Sequence, residues 1–382
     1  MLVAVLAAAL AAPGCGETSG AQSTLNLKTL GMRVAPGSTP LAVGDVDGDG
    51  TADIAFGGPE TGRDWLLTSR GGAHVTRLVH SRLGPFGQSG HEISSLGDAD
   101  GDGMDDIAIA SDRRSLAILY GRRQWPARTD LRAAGDAHSA AVIGTGSTRP
   151  GDAVARRGAT LIAAPDCLRC PAGQGRVLKI KLPKRGARVA VSGRTVRGVR
   201  APQGRVLSIP AAPWASGPQP VTAWKTTVRG SENLVYTPLV AASGRTPRLL
   251  GGNDVLLGTT PSAALAETQP ETPNGEAQIS RLRLYGLGPS GPRVDLTPEA
   301  GLDARGMIAT AGSRCILVAG WGNTTPAVWL LDAATLAERD SWQPAGASAA
   351  GASAAGSSIS IVTLDGGGRI SLAREPLPEL CR

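Results

Sequence analysis

Aromatic residues are scarce: two Phe, three Tyr and seven Trp in 382 residues. Any core must therefore be built from Val, Ile, Leu and Ala. Lysine is almost as rare. Only Lys28, Lys179, Lys181, Lys184 and Lys225 occur among 39 basic residues, the rest being Arg. The formal charge of +7 is diffuse, and no RNP, zinc-finger or helix-turn-helix pattern accompanies it, which argues against a nucleic-acid partner. Catalytic signatures are missing too. There is no H-E-x-x-H, no P-loop and no G-x-G-x-x-G between a strand and a helix. His74, His80, His91 and His138 join no known set, and Gly87-Gln88-Ser89-Gly90-His91 lacks the last Gly of G-x-S-x-G. No catalytic residue is expected. Glycine and proline are plentiful instead, 52 and 27, as suits an all-β chain with many turns.

The apolar run from Met1 to Ala12 is about twelve residues, too short to span a bilayer and the right size for a signal-peptide core. Ala12-Pro13-Gly14-Cys15 resembles a bacterial lipobox, with Ala12 where Leu is usual. Residues 1–15 are thus expected to be a signal peptide with a lipobox-like end, and residues 16–24 a flexible tether of small polar residues. The expected location is extracytoplasmic, either lipid-anchored at Cys15 or secreted.

Two segments carry the chemistry. Asp45-Val46-Asp47-Gly48-Asp49-Gly50-Thr51-Ala52-Asp53 and Asp98-Ala99-Asp100-Gly101-Asp102-Gly103-Met104-Asp105-Asp106 both read D-x-D-x-D-G-x-x-D. Four carboxylates within nine residues repel one another unless a cation sits among them. Calcium, which takes six to eight oxygens in a flexible shell, is the natural occupant. The expected ligands are Asp45, Asp47, Asp49, Asp53 and the carbonyl of Thr51 in the first loop. Asp98, Asp100, Asp102, Asp106 and the carbonyl of Met104 serve the second. Asp105 should point away. An EF-hand is excluded, because the twelfth position holds Phe56 or Ile109 where a bidentate Glu is needed. Apolar strands flank both loops, giving strand–loop–strand units.

The loops begin 53 residues apart, a period typical of propeller repeats. Here the chain resembles the FG-GAP repeat family, found in integrin α-subunits and bacterial surface proteins. Gly57-Gly58-Pro59 after the first loop, and Leu116-Ala117-Ile118-Leu119-Tyr120-Gly121 after the second, match that family's turn and strand. Degenerate copies follow around Leu161, Leu256, Ile316 and Ile359, while Val189–Thr226 is the weakest stretch. The resemblance implies an all-β fold, a seven-bladed β-propeller over residues 25–382, with calcium loops in its two N-terminal blades. Ala345–Ser358, rich in Ala, Gly and Ser, is expected to be a flexible loop.

If Cys15 carries lipid, four cysteines remain, an even count that suggests disulfides in an exported chain. Cys167 should pair with Cys170 across a local loop. Cys315 opens a strand one blade before the penultimate Cys381, and that pair should pin the last blade. Between Cys167 and Ser231 there is no acidic residue, while thirteen basic ones occur. This makes the stretch 169–205 either a solvated edge or a dock for an anionic polymer or membrane surface. The functional expectation is a non-enzymatic, calcium-binding surface scaffold for adhesion to a protein or glycan. The alternatives are a structural spacer or a hydrolase-associated propeller acting on envelope polymers or phospholipids.

Overall fold

The computed structural model describes residues 27–34, 38–57, 63–79, 93–112, 115–131, 134–145, 153–164, 176–191, 196–197, 210–211, 221–227, 236–242, 248–249, 254–268, 281–287, 291–296, 305–322 and 325–382. The expected signal peptide and tether, Cys15, Cys167, Cys170 and part of the basic stretch lie outside them.

Strands dominate because short apolar runs alternate with Gly-containing turns. Among the described residues they assemble into seven antiparallel meanders of four strands each, called sheets I to VII in chain order. Sheet I holds Thr39–Gly44, Asp53–Gly57, Arg63–Thr68 and His74–Val79. Sheet II holds Ile93–Gly97, Asp106–Asp112, Ser115–Leu119 and Ser139–Gly144. Sheets III to VI begin at Ala153, Pro210, Asp254 and Arg305. Sheet VII joins Ala349–Ala355, Ser358–Leu364 and Arg369–Pro376 to Lys28–Arg33 from the other end of the chain. The N- and C-terminal segments therefore share one sheet. Sheets I and II also each gain a parallel outer strand, Arg128–Asp130 and Arg188–Val191, donated by the segment that follows. These additions cover edges that would otherwise expose unpaired backbone.

The cores lie between successive sheets, and the strand period of two explains how. In strand Asp106–Asp112, Ile107 and Ile109 face Ala55, Leu66 and Leu78 of sheet I. Ala108 between them faces the opposite way, in a cluster with Leu161 and Ile180 of sheet III. A third cluster joins sheets VI, VII and I, and a fourth joins V and VI. Sheets buried on both faces need continuous apolar strands, which is why Cys315–Trp321 is buried along its whole length. The result is a β-propeller-like all-β fold built, as the composition required, from aliphatic side chains.

One expectation is overturned. Residues 349–355, inside the stretch read as a flexible loop, form the first strand of sheet VII, packed beside Thr39–Gly44. Their smallness reflects crowding: a Cβ on Gly351 would collide with Pro40 of sheet I. Ala, Gly and Ser are selected by close approach of neighbouring first strands. Where these strands converge they leave a cavity of about 280 Å³, lined by Ser95, Asp105, Arg156, Thr310 and Ser353 among others.

Candidate metal centre

Each acidic loop joins the first and second strands of its sheet, at a bulge in the ladder. In the first, the Asp45 carboxylate gathers the turn. Its Oδ1 accepts the N–H of Gly48 (2.8 Å) and Asp49 (3.1 Å), and its Oδ2 that of Gly50 (2.8 Å). Asp47 Oδ1 accepts from Asp49 (3.1 Å), and Asp49 Oδ1 from Thr51 (2.8 Å). These are the side-chain-to-backbone turns that Asp favours over regular structure. They curl the backbone round the carboxylates, so ligating oxygens of Asp45, Asp47 and Asp49 lie within 4.8 Å of one another.

The hairpin turn of sheet I braces this loop. Asp47 Oδ2 accepts the N–H of Ser69 (3.0 Å) and Arg70 (2.9 Å), and Ser69 Oγ donates to Asp49 Oδ2 (2.7 Å). The Arg70 guanidinium donates to the carbonyls of Asp47 (2.8 Å) and Gly48 (3.0 Å). Sequence reasoning missed Ser69 and Arg70. Only the strand register brings them to a loop some twenty residues earlier.

Asp53 closes the loop from the second strand. It is 2% exposed, its Oδ2 accepts the N–H of Val46 (2.9 Å), and its Oδ1 is buried with no hydrogen-bond partner. Burial, reinforced by the charge of Asp47, pushes its pKa up to about 9. An ionised, half-satisfied carboxylate here beside three others is costly. A cation among the four relieves it, and the donors are hard oxygens of the kind calcium takes. The first loop thus offers a group of carboxylates that could hold a metal ion. Asp45, Asp47 and Asp49 converge closely enough to hold one; Asp53, the fourth expected carboxylate, is not part of that 4.8 Å group, and the carbonyl of Thr51 accepts no hydrogen bond among the described residues.

The second loop repeats the backbone pattern. Asp98 Oδ1 accepts from Gly101 (2.7 Å) and Asp102 (3.1 Å), and its Oδ2 from Gly103 (3.0 Å). Asp102 Oδ1 accepts the N–H of Met104 (3.0 Å). Asp98, Asp100 and Asp106 form the second three-carboxylate cluster. Two features differ. Asp106, fully buried, has both oxygens engaged, by the N–H of Ala99 (2.8 Å) and of Gly121 (2.8 Å), and burial raises its pKa to about 7. Asp102, expected to be a ligand, is turned to Arg185 together with Asp100. Arg185 belongs to the basic stretch 169–205, and here it is ion-paired with these two carboxylates.

Asp105 points out of its own loop, as expected, but not into solvent. It is half-buried, and its Oδ2 accepts the N–H of Asp45 in the first loop (2.7 Å). Gly44 makes this possible: at φ +83°, a Cβ there would sit on the Asp105 carboxylate. Elsewhere in the fold, Cys315 and Cys381 are disulfide-bonded as expected.

No family model matches the chain, and no curated protein matches it. Among solved structures it is similar to prolyl oligopeptidase B from Galerina marginata. One mutant form bound to a 35mer hydrolysis and macrocyclization substrate is 12% identical, with a TM-score of 0.44 over 90% of this chain and 50% of that one. A second mutant form is 13% identical, with a TM-score of 0.46 over 90% and 49%. The apo protein is 10% identical, with a TM-score of 0.42 over 91% and 51%. The chain spans about half the length of these proteins, and likeness at this level transfers no activity.

Proposed function

We propose that this chain is an exported, calcium-stabilised, seven-bladed β-propeller of FG-GAP type that serves as a surface binding scaffold for a protein or glycan and not as an enzyme. The seven sheets are its blades. Adjacent first strands, cores between successive sheets and the shared terminal sheet support that reading.

The observation that carries the calcium assignment is the orphaned Asp53 Oδ1, buried beside three converging carboxylates. The ion serves structure. It neutralises the loop and fixes the turn between two strands, while the loop carboxylates also hold backbone N–H groups, a ligand's role and not that of a free acid or base. Export is supported by the signal-like residues 1–15 with Cys15 as lipid-anchor candidate, and by the Cys315–Cys381 bond, which suits an oxidising compartment. The polar cavity where the first strands converge, and the exposed Lys181 and Lys184 of the basic stretch, supply surfaces for a partner, the latter for an anionic polymer or membrane.

The test is a binding screen of glycans and envelope polymers against the full chain, with calcium and with chelator. Retention of a polymer that chelator abolishes supports the scaffold reading. Hydrolysis of any screened polymer would overturn the non-enzymatic part of it.

A further inference from the structure

The two loops share a backbone design but differ in what neutralises them. Around the first loop the donors to Asp47 and Asp49 among the described residues are neutral: the N–H groups of Asp49, Thr51, Ser69 and Arg70 and the Ser69 hydroxyl. The Arg70 guanidinium is turned onto backbone carbonyls, and no ion pair to these carboxylates occurs among the described residues. In the second loop a full positive charge is already seated. Arg185 Nε donates to Asp100 Oδ2 at 2.5 Å, and Nη2 donates to Asp102 Oδ2.

The seat for Arg185 is built. Its guanidinium lies over the Tyr120 ring, 5.2 Å from the centroid, and Nη2 also reaches the carbonyl of Gly121 (3.4 Å). The turn that carries it is fastened to sheet II on both sides. Tyr120 Oη donates to the carbonyl of Pro183, and the N–H of Gly186 donates to that of Ser139 (2.8 Å). Gly121 also donates its N–H to Asp106, whose counterpart Asp53 keeps an open oxygen. The guanidinium and a calcium ion would compete for Asp100 and Asp102.

We infer that Arg185 is the resident cation of the second loop, so that calcium fills the first loop before the second and enters the second only by displacing this guanidinium. The inference rests on the calcium reading above and deepens it: the two sites are unequal, and Arg185 sets the difference.

Calorimetric titration of the chelator-treated full chain with calcium chloride tests it, using wild type, Arg185→Gln and Asp47→Ala. Wild type should show one tight site and one at least about tenfold weaker. Arg185→Gln should strengthen the weak site about tenfold or more and leave the tight one alone, while Asp47→Ala should remove the tight one. A second measurement needs no altered fold: in arginine side-chain NMR of wild type, one Nε–H signal should move only in the weak phase. Two equal sites that Arg185→Gln leaves unchanged, or no arginine signal moving with the second ion, would overturn the inference and leave the calcium reading standing. No uptake by wild type or Arg185→Gln would overturn both.

Discussion

The Asp105 carboxylate accepts the backbone N–H of Asp45 at 2.7 Å, and the Asp105 N–H donates to the Asp45 carbonyl at 2.7 Å. Sixty residues apart in sequence, the two form a clasp between the acidic loops of sheets I and II. The N–H of Arg122 and Trp125 Nε1 strengthen it, both donating to the carbonyl of Val46 (3.0 and 3.1 Å). The entry to the first loop is thus held by the sheet that carries the second.

Asp105→Ala should therefore do more than delete a surface charge. It strands the Asp45 N–H, at a cost of about 1–3 kcal/mol, and weakens calcium binding by the first loop because Asp45 is its first ligand. Asp105→Asn, which keeps an acceptor oxygen, should recover most of both. Urea denaturation checks this; an unchanged midpoint for Asp105→Ala would show that the clasp is idle.

The pH response of ion-free protein follows from Asp53. Its pKa rises from 3.8 to about 9 on folding, so over that interval the folded chain holds a proton the unfolded chain does not. The stabilisation is complete below the lower value and is lost as pH climbs through the upper one. Asp106, raised to about 7, acts in the same direction. The melting temperature without calcium should fall as pH rises across this range, and the gain on adding calcium should grow. Melting curves at several pH values measure it. A midpoint that rises with pH, or a gain that stays flat, would contradict the electrostatics assigned to the loops.

Reducing the Cys315–Cys381 bond, which spans 66 residues, should cost roughly 4 kcal/mol by loop-closure entropy. The loss should centre on sheets VI and VII. The Cys381 carbonyl accepts the N–H of Ser313 (3.0 Å) and Arg314 (3.3 Å), docking the C-terminal turn on the first hairpin of sheet VI. Hydrogen exchange with and without reductant locates the effect; uniform protection in both would refute it.

Anion docking by the basic stretch is best tested at Lys181 and Lys184, which are exposed, and not at Arg185, which is committed to the second loop. Lys181→Glu with Lys184→Glu should leave melting within about 0.5 kcal/mol of wild type, as surface changes do. Salt-sensitive retention on acidic polysaccharide should weaken. Retention indifferent to both salt and the double replacement would remove the stretch from consideration.

The parts of this molecule legible in its sequence are those written in local spacing. The D-x-D-x-D-G-x-x-D loops lie between strands as their apolar flanks required, and Cys315 with Cys381 could be paired because the strand pattern placed them one repeat apart. What escaped was set by contacts between sheets. Ala349–Ala355 looked like a loop because its small residues carry no alternation of polarity; their size is dictated by neighbours such as Pro40. Arg185 looked like one of many solvated arginines because its partners lie 83 and 85 residues away. Asp105 occupied a position with no local duty, and its duty lies in the neighbouring loop. Ser69 and Arg70 were invisible for the same reason.

Thermal unfolding of chelator-treated protein, before and after calcium is restored, shows whether an ion holds these loops. Binding to the folded state alone contributes about 2.7 kcal/mol at a hundredfold excess over the dissociation constant. Calcium should raise the midpoint by several degrees, magnesium should restore little because it demands a tight octahedron, and Asp53→Ala should abolish the calcium response of the first loop. A midpoint that ignores both chelator and calcium would rule out a structural ion and leave these loops as turns held by their own hydrogen bonds.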